Sequence, residues 1–241
     1  MGTVRIGSKV IDYEVVRTDR KSLGINIEPK KGIIVRSPKQ ITDDKIKEIV
    51  ESKGSWILEK LDELAKIKPE PLPKEFLSGE KLPYIGKRYR LKMKEKKEVN
   101  NTEVRLFQGK FIIEVPLDLK EDKKRDIIRE EFIKWYRKHA KEKILERVEK
   151  YKDKLGVEPN NVKIKKQKKR WGSCSSKGNI NINWKIIMAP MSVIDYIIVH
   201  ELAHLKYDNH SNEFWQLVET IMPDYKKRSE WLRVHGPQLT L

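Results

Sequence analysis

A single cysteine, Cys174, leaves this 241-residue chain without an internal disulfide, and it belongs to no CxxC pair that would build a structural zinc cluster. That shortage of thiols fits a reducing compartment. Long apolar runs are missing as well. No stretch is long enough to span a bilayer, and the start, MGTVRIGSKVIDYEVV, reads as a strand pair and not as a signal peptide, so a cytoplasmic protein with no membrane partner is expected. Acidic residues are outnumbered: 36 Asp and Glu face 53 Lys and Arg, a net charge of +17. Such a surface attracts polyanions, with nucleic acid as the natural partner, unless the lysines only solvate the surface. High Lys and Glu with little Cys and Met is the bias of hyperthermophile proteins.

Apolar residues, at 38%, suffice for a core and fall into two periodicities. KVIDYEVV, SLGINIEP and GIIVRSP alternate as strands do, with PKKG as a turn between the last two, and Pro38 ends the group. TDDKIKEIVESKGSWILEKLDELAK reads as helix, capped by Thr42, with Ile46, Ile49, Val50, Trp56, Ile57, Leu61 and Leu64 on its apolar face. Proline-rich IKPEPLPKEF connects to a second strand group, KLPYIGKRYRLKMK, NTEVRLFQ and GKFIIEVP. No repeat of solenoid type is evident. From Asp118 the pattern is one long helix that stops near Gly156. VKIKK and NININW have strand character. Ser192, with Asp195 three residues on, reads as the capping box of a helix, Ser211 as the cap of the next, and DYKKRSEWLRVHG as a short last helix. The class is α+β: a β-rich region with one helix over 1–117, then a helical catalytic domain over 118–241.

Three of the five histidines lie in DYIIVHELAHLKYDNHSNEFW, residues 195–215. His200-Glu201-Leu202-Ala203-His204 is HExxH, which puts two imidazoles on one helix face one turn apart, close enough to grip one metal ion. Glu201 is placed to reach water at that ion as general base. Asn209 suits a left-handed turn that returns His210 as third ligand, with Glu213 or Glu219 as the alternatives; three ligands leave a position open for catalysis. His139 and His235 lie on charged stretches and take no role.

Upstream, GSCSSKG is a tight turn in which Cys174 is a small buried residue, or else a metal or redox group. In NININW, Ile180, Ile182 and Trp184 face one way and Asn179, Asn181 and Asn183 the other. An asparagine-lined strand beside the metal helix would bind an extended peptide by strand addition, or is an ordinary half-buried strand. KIKKQKKR, ending at Arg170, would draw an anionic substrate to the site, or is a solvated run.

RWGSCSSKGNININWKIIMAP followed by IIVHELAHLKYDNHSNEFWQLVE resembles the YgjP-like metal-dependent hydrolases, also described as a YgjP-like metallopeptidase domain. SPKQIT and SWILEKL fit the family too, so the resemblance covers nearly the whole chain. The family's core is related to SprT-like and minimal gluzincin zinc peptidases. The resemblance implies His200, His204 and His210 as metal ligands, Glu201 as the catalytic residue, and a zincin-like core in which a small sheet packs on the HExxH helix. It implies a metal-dependent hydrolase: a zinc metallopeptidase acting on peptide, or a UTP pyrophosphatase acting on nucleotide. A DNA-associated module that processes protein, as SprT-like relatives do, is a third reading. Zinc is the expected metal, though imidazole sites also take nickel, cobalt and iron.

Overall fold

In the computed structural model the described residues are 1–28, 31–97, 99 and 102–241, without the side chains of 121 and 122. Pro29 and Lys30 of the PKKG turn and Asn101 at the head of NTEVRLFQ lie outside them. The chain divides into two compact units, Met1–Lys68 and Pro69–Leu241, so the division falls inside the proline-rich connector and not at 117/118. The reason lies in the core of the second unit. Phe111, from the second strand group, packs against Phe132 and Trp135 of the long helix at ring distances of 5.3 and 5.0 Å. Strands and helix there share one apolar interior.

In the first unit, β1 (Gly2–Ile6), β2 (Lys9–Thr18), β3 (Gly24–Glu28) and β4 (Gly32–Pro38) form one sheet in the order β1-β2-β4-β3. Val4, Ile11, Tyr13, Ile33 and Val35 point to one face and meet Ile46, Val50 and Ile57 of two helices, α1 (Asp43–Ser52) and α2 (Gly54–Ala65). Thr42 caps α1, its hydroxyl accepting from the Lys45 amide at 3.4 Å. One helix was expected here, and two are found. The break falls at Lys53-Gly54, where a β-carbon on Gly54 would come within 2.7 Å of the Ile6 side chain. Trp56, read as part of the apolar face, is 40% exposed; the break turns that face away from it.

In the second unit, β5 (Lys81–Tyr84), β6 (Lys87–Lys96), β7 (Val104–Phe107) and β8 (Lys110–Pro116) form a sheet in the order β5-β6-β8-β7. This is the first sheet again. In each, the first two strands are antiparallel, the second pairs parallel with the fourth, and the third pairs antiparallel with the fourth. Tyr13 opposite Ile33 in the first becomes Leu91 opposite Phe111 in the second, and Ile6 opposite Lys9 becomes Tyr84 opposite Lys87; every one of these positions moves by the same 78 residues. Helix α1 starts at Asp43 and α3 (Glu121–Leu155) at Glu121, the same step on. The chain therefore contains a two-fold repeat of a four-stranded sheet followed by a helix.

The remainder of the chain has no counterpart in the first copy. Helix α3 runs for 35 residues and ends where Gly156 takes the left-handed conformation, φ 60°, that releases the chain. Behind it come β9 (Asn161–Lys165), β10 (Gly172–Cys174) and β11 (Asn179–Asn183), in the order β10-β11-β9. A 3₁₀ turn, Trp184–Met188, leads into α4 (Met191–Ala203), then α5 (Asn212–Ile221) and α6 (Tyr225–His235). Trp184 thus starts the turn and is not part of the strand. Helix α4 is buried on all sides from Val193 to Val199, as a helix is when elements surround it. Its expected capping box is absent: Pro190 precedes the helix, Ser192 is exposed in the first turn, and Asp195 faces α3. There Arg147 grips Asp195 with two hydrogen bonds, Nε to Oδ1 at 2.6 Å and a terminal nitrogen to Oδ2 at 2.7 Å, and the Tyr151 hydroxyl donates to Oδ2 at 3.0 Å. A buried carboxylate needs such partners more than a helix end needs a cap. The cluster pins α4 to α3.

Candidate metal centre

His200 closes the last turn of α4, and His204 is its C-cap. The chain then turns on hydrogen bonds from the Leu205 and Tyr207 amides to the carbonyls of Leu202 and Ala203. Asn209 does not adopt the expected left-handed backbone; instead its side-chain carbonyl accepts the Ser211 amide at 3.0 Å, which makes the turn by side chain. Ser211 in turn caps α5, accepting the Phe214 amide at 3.4 Å. His210 is held between these two bonds and comes back onto the α4 histidines. Its Nε2 lies 3.1 Å from Nε2 of His200, and one nitrogen from each of His200, His204 and His210 falls within 4.8 Å of the others.

An aromatic floor sets the rings. Phe214 lies 5.1, 4.6 and 4.9 Å from the rings of His200, His204 and His210. Trp215 stacks on His210 at 5.5 Å and on Tyr225 at 5.2 Å. His204 donates from Nδ1 to the Tyr207 carbonyl at 3.0 Å, which leaves its Nε2 as the nitrogen with the lone pair. Burial, then the neighbouring His204 and His210, holds the His200 imidazole down to about 3; burial lowers His210 too. Neutral rings with converging lone pairs are what a divalent transition metal requires, and the set fits three-nitrogen binding.

Glu201 is 5% exposed. Burial pushes its carboxyl up to about 7, against a smaller pull downward from the Arg170 charge. Its place is made by Gly172 on β10: a β-carbon there would stand 2.3 Å from the carboxylate oxygen Oε1. Only a residue without a side chain lets β10 lie this close to α4. A cavity of about 330 Å³ opens here, lined by Trp171, Gly172, Tyr196, His200 and Glu201.

Comparison with known families decides the grouping. The model of the YgjP-like metallopeptidase domain matches residues 21–235. The chain belongs to the YgjP-like family. Membership makes it a metal-dependent hydrolase of metallopeptidase type with a divalent metal. Two solved structures resemble part of this YgjP-like chain. One is the metallopeptidase zymogen of Pyrococcus abyssi abylysin, 29% identical, covering 39% of this chain and 92% of that one, with a TM-score of 0.35. The other is the metallopeptidase zymogen of Methanocaldococcus jannaschii jannalysin, 25% identical, covering 36% and 89%, with a TM-score of 0.33. No curated protein matches.

Not all the sequence-derived site residues meet here. Glu213 and Glu219, the alternative ligands, are exposed on α5 and outside the histidine cluster. His139 and His235 bond the carbonyls of Trp135 and Trp231 and stack on those indoles. Strand addition at Asn179, Asn181 and Asn183 has no free backbone to use, because β11 is the central strand, paired with β10 on one side and β9 on the other. Asn183 is buried, donating to the carbonyls of Gln167 and Arg170 at 2.9 and 3.3 Å and accepting the Lys185 amide. It holds the KIKKQKKR segment against the sheet, and Arg170 at the end of that segment is exposed. Cys174 is half-buried on β10, its thiol raised by burial. Gly172 was missed as a site residue, although its glycine beside a strand-forming run is the visible signal for close backbone approach.

Proposed function

We propose that the protein is a zinc metallopeptidase in which His200, His204 and His210 hold the metal and Glu201 is general base. The observation that carries the reading is the convergence of three imidazole nitrogens next to one buried glutamate in a cavity. A divalent ion bound there supplies Lewis acidity to the scissile carbonyl and eases loss of a proton from water. Glu201 takes that proton and hands it to the departing amine; a carboxyl poised near neutral pH can do both. The substrate's backbone lies along β10, whose outer side carries no partner strand among the described residues and whose Gly172 touches Glu201. Glu201→Gln keeps bound zinc, read by metal analysis, and lowers turnover of a casein or peptide substrate by about 10²–10⁴-fold. Wild-type turnover in that variant ends the reading. Gly172→Ala, which must displace Glu201, lowers kcat by at least about tenfold with zinc content unchanged.

One observation favours a second reading, cleavage of a nucleotide such as UTP. A cavity of about 360 Å³ shares Trp171 with the first and is lined by Lys168, Lys169, Arg170 and Lys185. Those cations suit phosphate. Pyrophosphate release from UTP that vanishes in Glu201→Gln supports it; zinc-loaded protein that cleaves peptide and leaves UTP intact removes it.

A further inference from the structure

The repeat supplies an internal control for a feature of the second sheet. In both copies, alternate strand residues face away from the helix. On β6 these are Arg88, Arg90, Lys92, Lys94 and Lys96, all exposed. Neighbouring strands add Lys81, Arg105 and Lys110, and the strands contribute one carboxylate, Glu114. Register puts Arg90 directly between Lys81 and Lys110. Glu114 serves Lys96 at 2.7 Å and Arg105 at 3.9 Å, whereas Arg88, Arg90, Lys92 and Lys94 have no ion-pair partner among the described residues.

The fold does not demand this. The register-equivalent residues of β2 are Val10, Asp12, Glu14, Val16 and Thr18, and the first sheet carries both signs on that face, with Arg5 and Arg36 beside Asp12, Glu14 and Glu28. Like charges placed directly opposite one another on a sheet destabilise it. The second copy accepts that cost, which a polyanion laid along β6 would remove. The cations repeat about every 6.6 Å along the strand.

The face also offers a stacking surface. Phe107 is 60% exposed and stands in register with Lys110. A cavity of about 800 Å³ opens at this edge, lined by Lys92, Lys94, Arg105 and Phe107 of the sheet and by Lys138 of α3; Glu103, Glu114 and Glu131 line it too, Glu131 pairing with Lys134 at 2.6 Å, while Lys92 and Lys94 on β6 have no carboxylate partner among the described residues. A sheet face that combines backbone-tracking cations with an exposed aromatic suits unpaired bases. We propose that the outer face of the β5–β8 sheet binds single-stranded nucleic acid, phosphates along the β6 ladder and a base on Phe107.

The test is fluorescence anisotropy of a labelled oligo-dT of about 20 nucleotides with the full chain, titrated across salt concentrations. Arg90→Asp/Lys92→Glu installs residues that the first sheet already carries at equivalent positions. It weakens binding at least about tenfold and shrinks the log–log salt slope by about 1.4, two contacts at about 0.7 each. Lys21→Glu/Lys68→Glu removes the same charge from exposed loops and changes affinity less than about twofold. Phe107→Ala weakens binding about fivefold or more at an unchanged salt slope. Equal losses in the two charge variants would reduce the effect to net charge and overturn the proposal. So would no loss in the sheet variant, or displacement of the oligonucleotide by polyglutamate of equal charge as readily as by unlabelled oligo-dT.

Discussion

The two sheet-and-helix copies begin alike and end differently. Both helices start at the same place in the repeat. In the first copy the helix breaks at Lys53-Gly54; the position equivalent to Gly54 in the second is Phe132, which is fully buried between Phe76 and Phe111. A glycine there closes the first copy, and a phenylalanine carries the second on into a helix long enough to seat the histidine helix. What the copies share is the core-facing alternation and the register of the first, second and fourth strands; the third is displaced by one residue, Glu28 opposite Gly32 becoming Phe107 opposite Lys110. What differs is the outward charge and everything after the helix passes that point. The shared part is what the fold requires, and the remainder is what the second copy has added: a cationic face and a histidine cluster able to hold a metal.

That division can be attacked by substitutions read separately in each unit by amide hydrogen exchange. The largest effect falls on the added part. Asp195→Ala removes the buried carboxylate that holds the half-buried Arg147 and the Tyr151 hydroxyl, and destabilises the second unit by about 3–5 kcal/mol, with amides of the first unit unchanged. Next comes a pH effect confined to the same unit. In chelated protein, Glu201 is held protonated to about pH 7 in the folded state and titrates at about 4.5 when unfolded. Below pH 4.5 both states keep the proton and nothing is lost. Between pH 4.5 and about 7 the unfolded chain gives up this proton while the folded one keeps it, so stability falls by roughly 3 kcal/mol across that window and is level above it. Glu201→Gln escapes this, so the gap between variant and wild type grows from about zero at pH 4 to roughly 3 kcal/mol at pH 8, read by denaturant unfolding. A flat gap would deny the burial. The smallest effect tests the shared part. Gly54→Ala drives a methyl into Ile6 and costs the first unit about 1–3 kcal/mol, with the second untouched.

Local chemistry made much of this legible in the sequence. Thr42, Ser211 and Gly156 do what their residue types favour, because a cap or a left-handed stop involves only near neighbours. HExxH with His210 is legible for the same reason: eleven residues contain the whole cluster. Long-range facts were not. Ser192 and Asp195 carry a capping signature, yet Asp195 answers to Arg147, 48 residues away. NININW alternates like any edge strand, and nothing within it reveals that β9 arrives on its far side in parallel. The repeat hides because only core positions are kept: Tyr13 against Leu91 and Ile33 against Phe111 match in kind, whereas Asp12 against Arg90 and Glu14 against Lys92 reverse. The reversal itself is visible in KRYRLKMKEK, where cations at every second residue from Arg88 to Lys96 put one sign on one face of a strand.

Helix α3 has one consequence for anything held at both ends. Trp135 lines the cavity at the edge of the cationic sheet, and Arg147 grips the helix that bears the histidines. The unbroken helix between them is about 18 Å long and does not flex as a loop does. It acts as a fixed ruler: the sheet-edge cavity and the anchor of the histidine helix keep their spacing whatever either of them meets.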